Sequence, residues 1–112
     1  MINYKDELKQ WKELTAGFNK EVPDGAQAFG NLHQVVSQDG ALSAKVKELM
    51  GVALGITARC EGCIVTHTNA AIQKGATMDE IVETVQIALL MGGGPAYMYG
   101  SKAIECAKQL LN

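Results

Sequence analysis

Arginine is nearly absent from this chain, with Arg59 the single example, and no run of lysines compensates for it. The formal net charge is only -2. Proteins that grip phosphate backbones need a dense cationic face, so nucleic acid is not an expected partner. Long apolar runs are missing as well. The longest, around Ile87–Met91, falls far short of the ~20 residues needed to cross a bilayer, and no membrane partner is expected. The Met1-Ile2-Asn3-Tyr4-Lys5-Asp6-Glu7 start is polar and carries no apolar targeting segment. Three cysteines without such a segment do not read as a secreted disulfide framework. The expectation is a cytoplasmic protein, in which a closely spaced cysteine pair is redox-active or metal-binding rather than structural. There is also no alternating strand pattern of useful length, no low-complexity stretch and no linker, so neither a β fold nor a second domain is expected.

What remains is a set of helical segments. Apolar residues make up 47% of the 112 residues and charged residues 20%, enough for one packed core. The reading is therefore all-α: a single domain over residues 1–112 with about six helices. The first runs from Tyr4 to about Phe18, with Leu8, Trp11 and Leu14 about one turn apart. Val22-Pro23-Asp24-Gly25 ends it, and Asp24 is the expected cap of a second helix reaching about Ser37. Asp39-Gly40 marks a turn. Ser43 is the expected N-cap of the third, with Val46, Leu49, Met50 and Ala53 on one face. The fourth starts within or just before Cys60–Cys63 and runs to about Lys74, with Gly75 as its stop. Thr77-Met78-Asp79-Glu80 matches a capping box that opens the fifth. Gly92-Gly93-Gly94 ends that helix, and Pro95 suits the first turn of a sixth reaching Leu110.

The fifth helix is apolar in nearly every direction towards its end, from Ile81 and Val82 through Val85, Ile87, Ala88, Leu89, Leu90 and Met91. A helix apolar all round must be enclosed all round, and five short neighbours can hardly do so. A homo-oligomer is expected on that ground.

The chemistry concentrates in Cys60-Glu61-Gly62-Cys63 and His67. Positions i, i+3 and i+7 fall within about 60° on a helix, forming one stripe. Two intervening residues let the sulfurs bond reversibly, and a helix N-terminus favours the thiolate. His67 lies one turn beyond Cys63 and is placed to take its proton. A carboxylate is the usual group to fix such an imidazole, and Glu48 on the preceding helix is the best candidate. It neighbours Gly51, Val52 and Gly55, a small surface that admits a close helix. Yet Glu48 lies about 18 Å of helix rise before Cys60 and His67 only about 10 Å after it, so a simple hairpin leaves them misaligned.

Glu48, eleven residues, Cys60-x-x-Cys63, three residues and His67 resemble the E-x11-C-x2-C-x3-H signature of alkylhydroperoxidase D-like proteins, in the carboxymuconolactone decarboxylase superfamily. The likeness extends from about Leu42 to Gly94, including Asn69-Ala70-Ala71 and Lys74-Gly75-Ala76. It implies an all-helical trimer or hexamer with a thiol redox centre. It further implies that Cys60 and Cys63 are the redox pair, with Glu48 and His67 as the relay that deprotonates Cys63. The activity so implied is disulfide reduction, with hydroperoxide reduction as a weaker companion. No cofactor is expected. The partners would be an electron-donor protein or small thiol, and a disulfide or hydroperoxide substrate. The helix N-terminus favours Cys60 as the attacking sulfur, and the histidine favours Cys63.

Two alternatives accompany this reading. One is a lyase of the carboxymuconolactone decarboxylase type, with Glu48 and His67 as acid and base. The other is a zinc-stabilised binding module, in which Cys60, Cys63 and His67 are joined by Glu48, His33 or Cys106. One helical stripe makes a poor tetrahedral cage, so no metal is expected. The bland reading of Glu48 is a solvated side chain paired with Lys45. Cys106 reads as a small buried residue, His33 as surface or packing, and Tyr97 and Tyr99 as packing or interface. Met50, Met78, Met91 and Met98 read as core filler.

Overall fold

Asn3 opens the first helix by accepting the backbone N–H of Asp6 on its side-chain oxygen at 3.1 Å. In the computed structural model, which describes residues 1–112, α1 then spans Tyr4–Glu21. Five more helices follow and there is no strand: α2 (Pro23–Val36), α3 (Ala44–Thr57), α4 (Glu61–Gln73), α5 (Met78–Gly92) and α6 (Gly94–Leu111). The all-α fold of six helices thus matches the sequence reading. Ser43 caps α3 by accepting Val46 N–H, and Thr77 and Glu80 form the reciprocal capping box of α5.

Several boundaries differ for identifiable reasons. Asp24 does not cap α2; Pro23 already occupies its first turn, and Val22 takes the cap position with its carbonyl accepting Ala26 N–H. Only Val22 therefore separates α1 from α2. Lys74 caps α4, and Gly75 follows it with φ of 94°, a conformation that suits glycine. The glycine triplet is not a broad break. Gly92 still belongs to α5 and Gly94 to α6, and Gly93 alone makes the corner at φ 66°.

Helices α3 to α6 pack against one another as the main body. At its centre Val52, Ile56, Ile64, Ala88, Ala96 and Ala103 form one buried cluster, and Leu49, Ala71, Ala76, Ile81 and Ala107 form another. The buried face of α3 runs through Glu48, Leu49, Val52, Gly55 and Ile56. It is rotated from the expected one, because α3 packs on α4, α5 and α6 together. Val46 and Met50 consequently lie outside. The methionines are mostly not core filler: Met50, Met91 and Met98 are exposed and only Met78 packs on a cluster.

Helices α1 and α2 form an arm on this body. Tyr4 and Leu8 seat α1 against Val65 and Cys106, and Tyr4 N–H donates to Gln109 Oε1 at 2.7 Å. Beyond Leu8 the attachment thins, with Leu14 and Phe18 exposed. Helix α2 packs chiefly on α1 and buries none of its residues, leaving Phe29, Leu32, Val35 and Val36 in the open. The end of α5 is likewise uncovered, Leu90 and Met91 each being 77% exposed. No helix is long and apolar enough to cross a membrane.

Candidate functional site

Cys60 is the N-cap of α4, and its Sγ accepts the backbone N–H of Cys63 at 3.2 Å. The two cysteines are joined in a disulfide, with Cα atoms 5.2 Å apart. Arg59 makes this possible by taking φ of 57°, which turns the chain sharply from α3 into α4. Cys60 N–H then donates to Gly55 O, tying the start of the motif back to α3.

The same turn resolves the misalignment of Glu48 and His67. Because Ala58 to Cys60 form the corner, the offset along the two helices shrinks to about 4–5 Å, within reach of two long side chains. His67 Nδ1–H donates to Glu48 Oε2 at 2.7 Å. Glyines at 51 and 55 bring the helices this close. A methyl group on Gly51 would sit 2.7 Å from His67 Nδ1, and one on Gly55 would sit 3.1 Å from Cys63 Cβ. Glu48 is 5% exposed, so its carboxyl finds its hydrogen-bond partner in the imidazole rather than in water. Lys45, its helical neighbour, turns instead to Glu80 at 2.8 Å. That contact, with the capping-box hydrogen bonds, holds the Glu80 carboxyl below the usual range.

The residues between the cysteines have separate tasks. Glu61 points away from the pair and binds Lys102 on α6, which raises the Lys102 pKa above its ordinary value. Gly62 lies under the indole of Trp11, where a methyl group would meet the ring at 3.1 Å. Trp11 and Thr15 from α1 and Phe29 and His33 from α2 complete a cavity of about 510 Å³ over Cys60, Cys63, Glu48 and His67. Its walls are mostly apolar, with Glu48 and His33 the polar side chains beside His67 and Thr15 and Thr66 also at the lining.

The four candidate residues Cys60, Cys63, His67 and Glu48 therefore share one cavity. Cys106 does not join them: it is fully buried with Tyr4, Leu8 and Val65, and burial pushes its thiol up to about 12. No three Cys, His, Asp or Glu side chains are arranged to hold a metal ion, the two sulfurs being bonded to each other. Trp11 and Phe29 are lining residues that sequence reasoning missed, and His33, weighed there only as a zinc ligand or a packing residue, lines the cavity beside His67. Their only trace is a one-turn spacing in each helix, Trp11 with Thr15 and Phe29 with His33, which many surface helices share.

The sequence profile described as the carboxymuconolactone decarboxylase family matches residues 23–105. An uncharacterized protein of Cupriavidus necator is 42% identical over 100 residues, covering 89% of this chain and 88% of that one. A carboxymuconolactone decarboxylase family protein from Legionella pneumophila superposes with a TM-score of 0.91 at 36% identity, covering 97% of each chain. Another from Thermotoga maritima, whose description gives it a possible part in an antioxidative response, superposes at 0.81 with 31% identity over 91% of this chain and 90% of that one. With its profile matched over about three quarters of its length, the chain belongs to the carboxymuconolactone decarboxylase family.

Proposed function

We propose that this protein is a thiol–disulfide oxidoreductase that cycles Cys60 and Cys63 between dithiol and disulfide, with hydroperoxide reduction as a slower companion activity. The observation that carries the reading is the Cys60–Cys63 disulfide opening into the same cavity as an imidazole held by a buried carboxylate. In the reduced state one cysteine attacks a substrate disulfide as the thiolate. The second then displaces the product thiol and closes the internal disulfide. With a hydroperoxide, the thiolate takes the terminal oxygen as a sulfenic acid, the alcohol leaves with a proton, and the partner sulfur expels water. The Cys63 N–H aimed at Cys60 Sγ favours negative charge on Cys60. His67, fixed by Glu48, is positioned to manage the proton. A dithiol donor, protein or small molecule, must return the pair to its reduced form.

The peroxidase half is the slower one because few donors stand ready to polarise an O–O bond: beside Glu48 the cavity offers the imidazoles of His67 and His33, while the Thr15 and Thr66 hydroxyls donate to backbone carbonyls of their own helices. We also propose a homo-oligomer, a trimer or hexamer as in the family, supported by the uncovered apolar faces of α2 and of late α5. Sedimentation of the purified chain measures that directly.

Turnover of a hydroperoxide and of a small aromatic disulfide, under one dithiol reductant, tests the activity. The disulfide should be the faster substrate, and Cys60→Ser with Cys63→Ser should abolish both. A variant lacking both sulfurs that still released carbon dioxide from a carboxylactone substrate at the parent rate would support acid–base lyase chemistry by Glu48 and His67 instead.

A further inference from the structure

Helix α2 buries nothing, yet it offers Phe29 and His33, one turn apart, to the cavity above the disulfide. His33 is exposed to solvent, and its ring centroid lies 6.3 Å from that of His67, tilted by 36°. His67 already commits Nδ1 to Glu48, which leaves one ring nitrogen for exchange. Apart from the disulfide, the titratable groups lining the cavity are Glu48 from α3, His67 from α4 and His33 from α2, while α1 contributes only Trp11 and Thr15.

We propose that His33 is the proton-exchange residue of the site, reloading His67 from solvent during the thiol–disulfide cycle. The inference rests on the redox reading above. When a donor thiolate attacks the Cys60–Cys63 bond, a mixed disulfide forms and one cysteine leaves as a thiolate. His67 gives that sulfur a proton. The donor's second thiol, after ionising, displaces the mixed disulfide and releases the other cysteine, which needs a proton in turn. The donor ends as its disulfide and the protein as two thiols, with the donor's two protons balancing the two taken up.

One imidazole at His67 carries a single proton per pass and must be reloaded between the two releases. Trp11, Phe29 and Ala70 form apolar walls around it, and His33 is the other imidazole in the cavity. A centroid separation of 6.3 Å leaves room for one water to bridge the two rings and carry the proton between them. Imidazole is also the side chain best suited to accept and give a proton near neutral pH. His33 acts through His67 and touches neither sulfur in this scheme, so it is a positioning residue for the proton.

The test is reduction of the oxidised full-length protein by dithiothreitol, mixed rapidly and followed by fluorescence of Trp11, the chain's one tryptophan. Rates are compared from pH 6 to 8 in dilute buffer, with and without added imidazole. His33→Ala and His33→Gln should each slow reduction about tenfold in dilute buffer, a fraction of the hundredfold or more typical of direct acid–base groups. Added imidazole should restore both variants to near the parent rate while leaving the parent unchanged. His33 is exposed, so both variants should keep the parent's helical circular dichroism. Parent-like rates in dilute buffer would overturn the proposal, as would a slow rate that imidazole does not raise. A parent disulfide that dithiothreitol cannot reduce would instead sink the redox reading itself.

Discussion

The α3–α4 hairpin and the α1–α2 arm contribute to the same cavity but are built in opposite ways. The hairpin is packed through glycine: Gly51 and Gly55 lie so close to His67 and Cys63 that neither can take a larger side chain without something moving. It buries Glu48 and binds it to His67. The arm is attached at one end by Tyr4 and Leu8, and its second helix has no buried residue. Chemistry that depends on tenths of an ångström thus resides in the part that cannot shift. The walls that meet the substrate reside in the part that can. On this division, substitutions in the hairpin should change the rate of the chemical step, and substitutions in the arm should change substrate binding.

The largest expected effect comes from Gly51→Ala. Alanine is the better helix former, by roughly 0.5–1 kcal/mol. Its methyl group, however, would occupy space 2.7 Å from His67 Nδ1 and push the ring off Glu48. We expect kcat to fall about a hundredfold, the scale of a lost acid–base group, and thermal stability to fall as well, because a buried Glu48 deprived of its imidazole costs more than the helix gain. Full kcat in this variant would show that the fixed imidazole is not needed, and the rigid half of the comparison would fail.

How far the site could be read in advance follows the same division. Cys60, Cys63 and His67 were legible because one helix fixes their relative positions through its pitch. Glu48 was legible as a candidate but its contact was not, since spacing alone left it misaligned. The missing information was Arg59, a non-glycine residue at positive φ that no local pattern announces. The all-α fold followed from periodicity and capping residues, and Ser43 and Thr77 mark true helix starts. The face of α3 did not follow, because an amphipathic pattern marks one stripe and α3 meets three helices. Trp11 and Phe29 were illegible for a stronger reason, and His33 was weighed only as a metal ligand or a packing residue. They reach the site only through the way α1 and α2 fold back over α4, a tertiary fact with no signature in sequence spacing.

The arm supplies the next test. Phe29 is 72% exposed and so carries little of the fold, whereas Trp11 is half-buried over Gly62. Phe29→Ala should alter folding stability by no more than about 0.5 kcal/mol. Against an apolar disulfide substrate, Trp11→Ala and Phe29→Ala should each raise KM about fivefold to tenfold, the worth of a partly buried aromatic contact, with kcat within about twofold. If kcat fell while KM held, the arm would be aligning the chemistry rather than holding the substrate, and the two regions would not divide the labour as described.

The seam between the two regions gives the smallest effect and sharpens the comparison from another side. Tyr4 and Leu8 of the arm meet Val65 and Cys106 of the body there. Burial keeps the Cys106 thiol neutral up to about pH 12, whereas in the unfolded chain it ionises near 9. The unfolded state therefore sheds a proton that the folded state retains, so stability is constant below pH 9 and falls as pH rises above it. By pH 9.5 the loss from this one group is roughly 1 kcal/mol, and it grows with each further pH unit. Tyr4, whose phenol burial also pushes up, adds to the loss only beyond its ordinary range near 10. The Lys102–Glu61 pair weakens later still, since its contribution holds below the ordinary lysine pKa and is lost only as pH climbs through the raised one. Urea unfolding at pH 8 and pH 9.5, on the parent and on Cys106→Ala, isolates the first contribution. The parent should lose stability between the two pH values and the variant should lose less, by about the stated amount. An equal loss in both would mean that Cys106 meets solvent, and that the arm is not seated on the body at this seam.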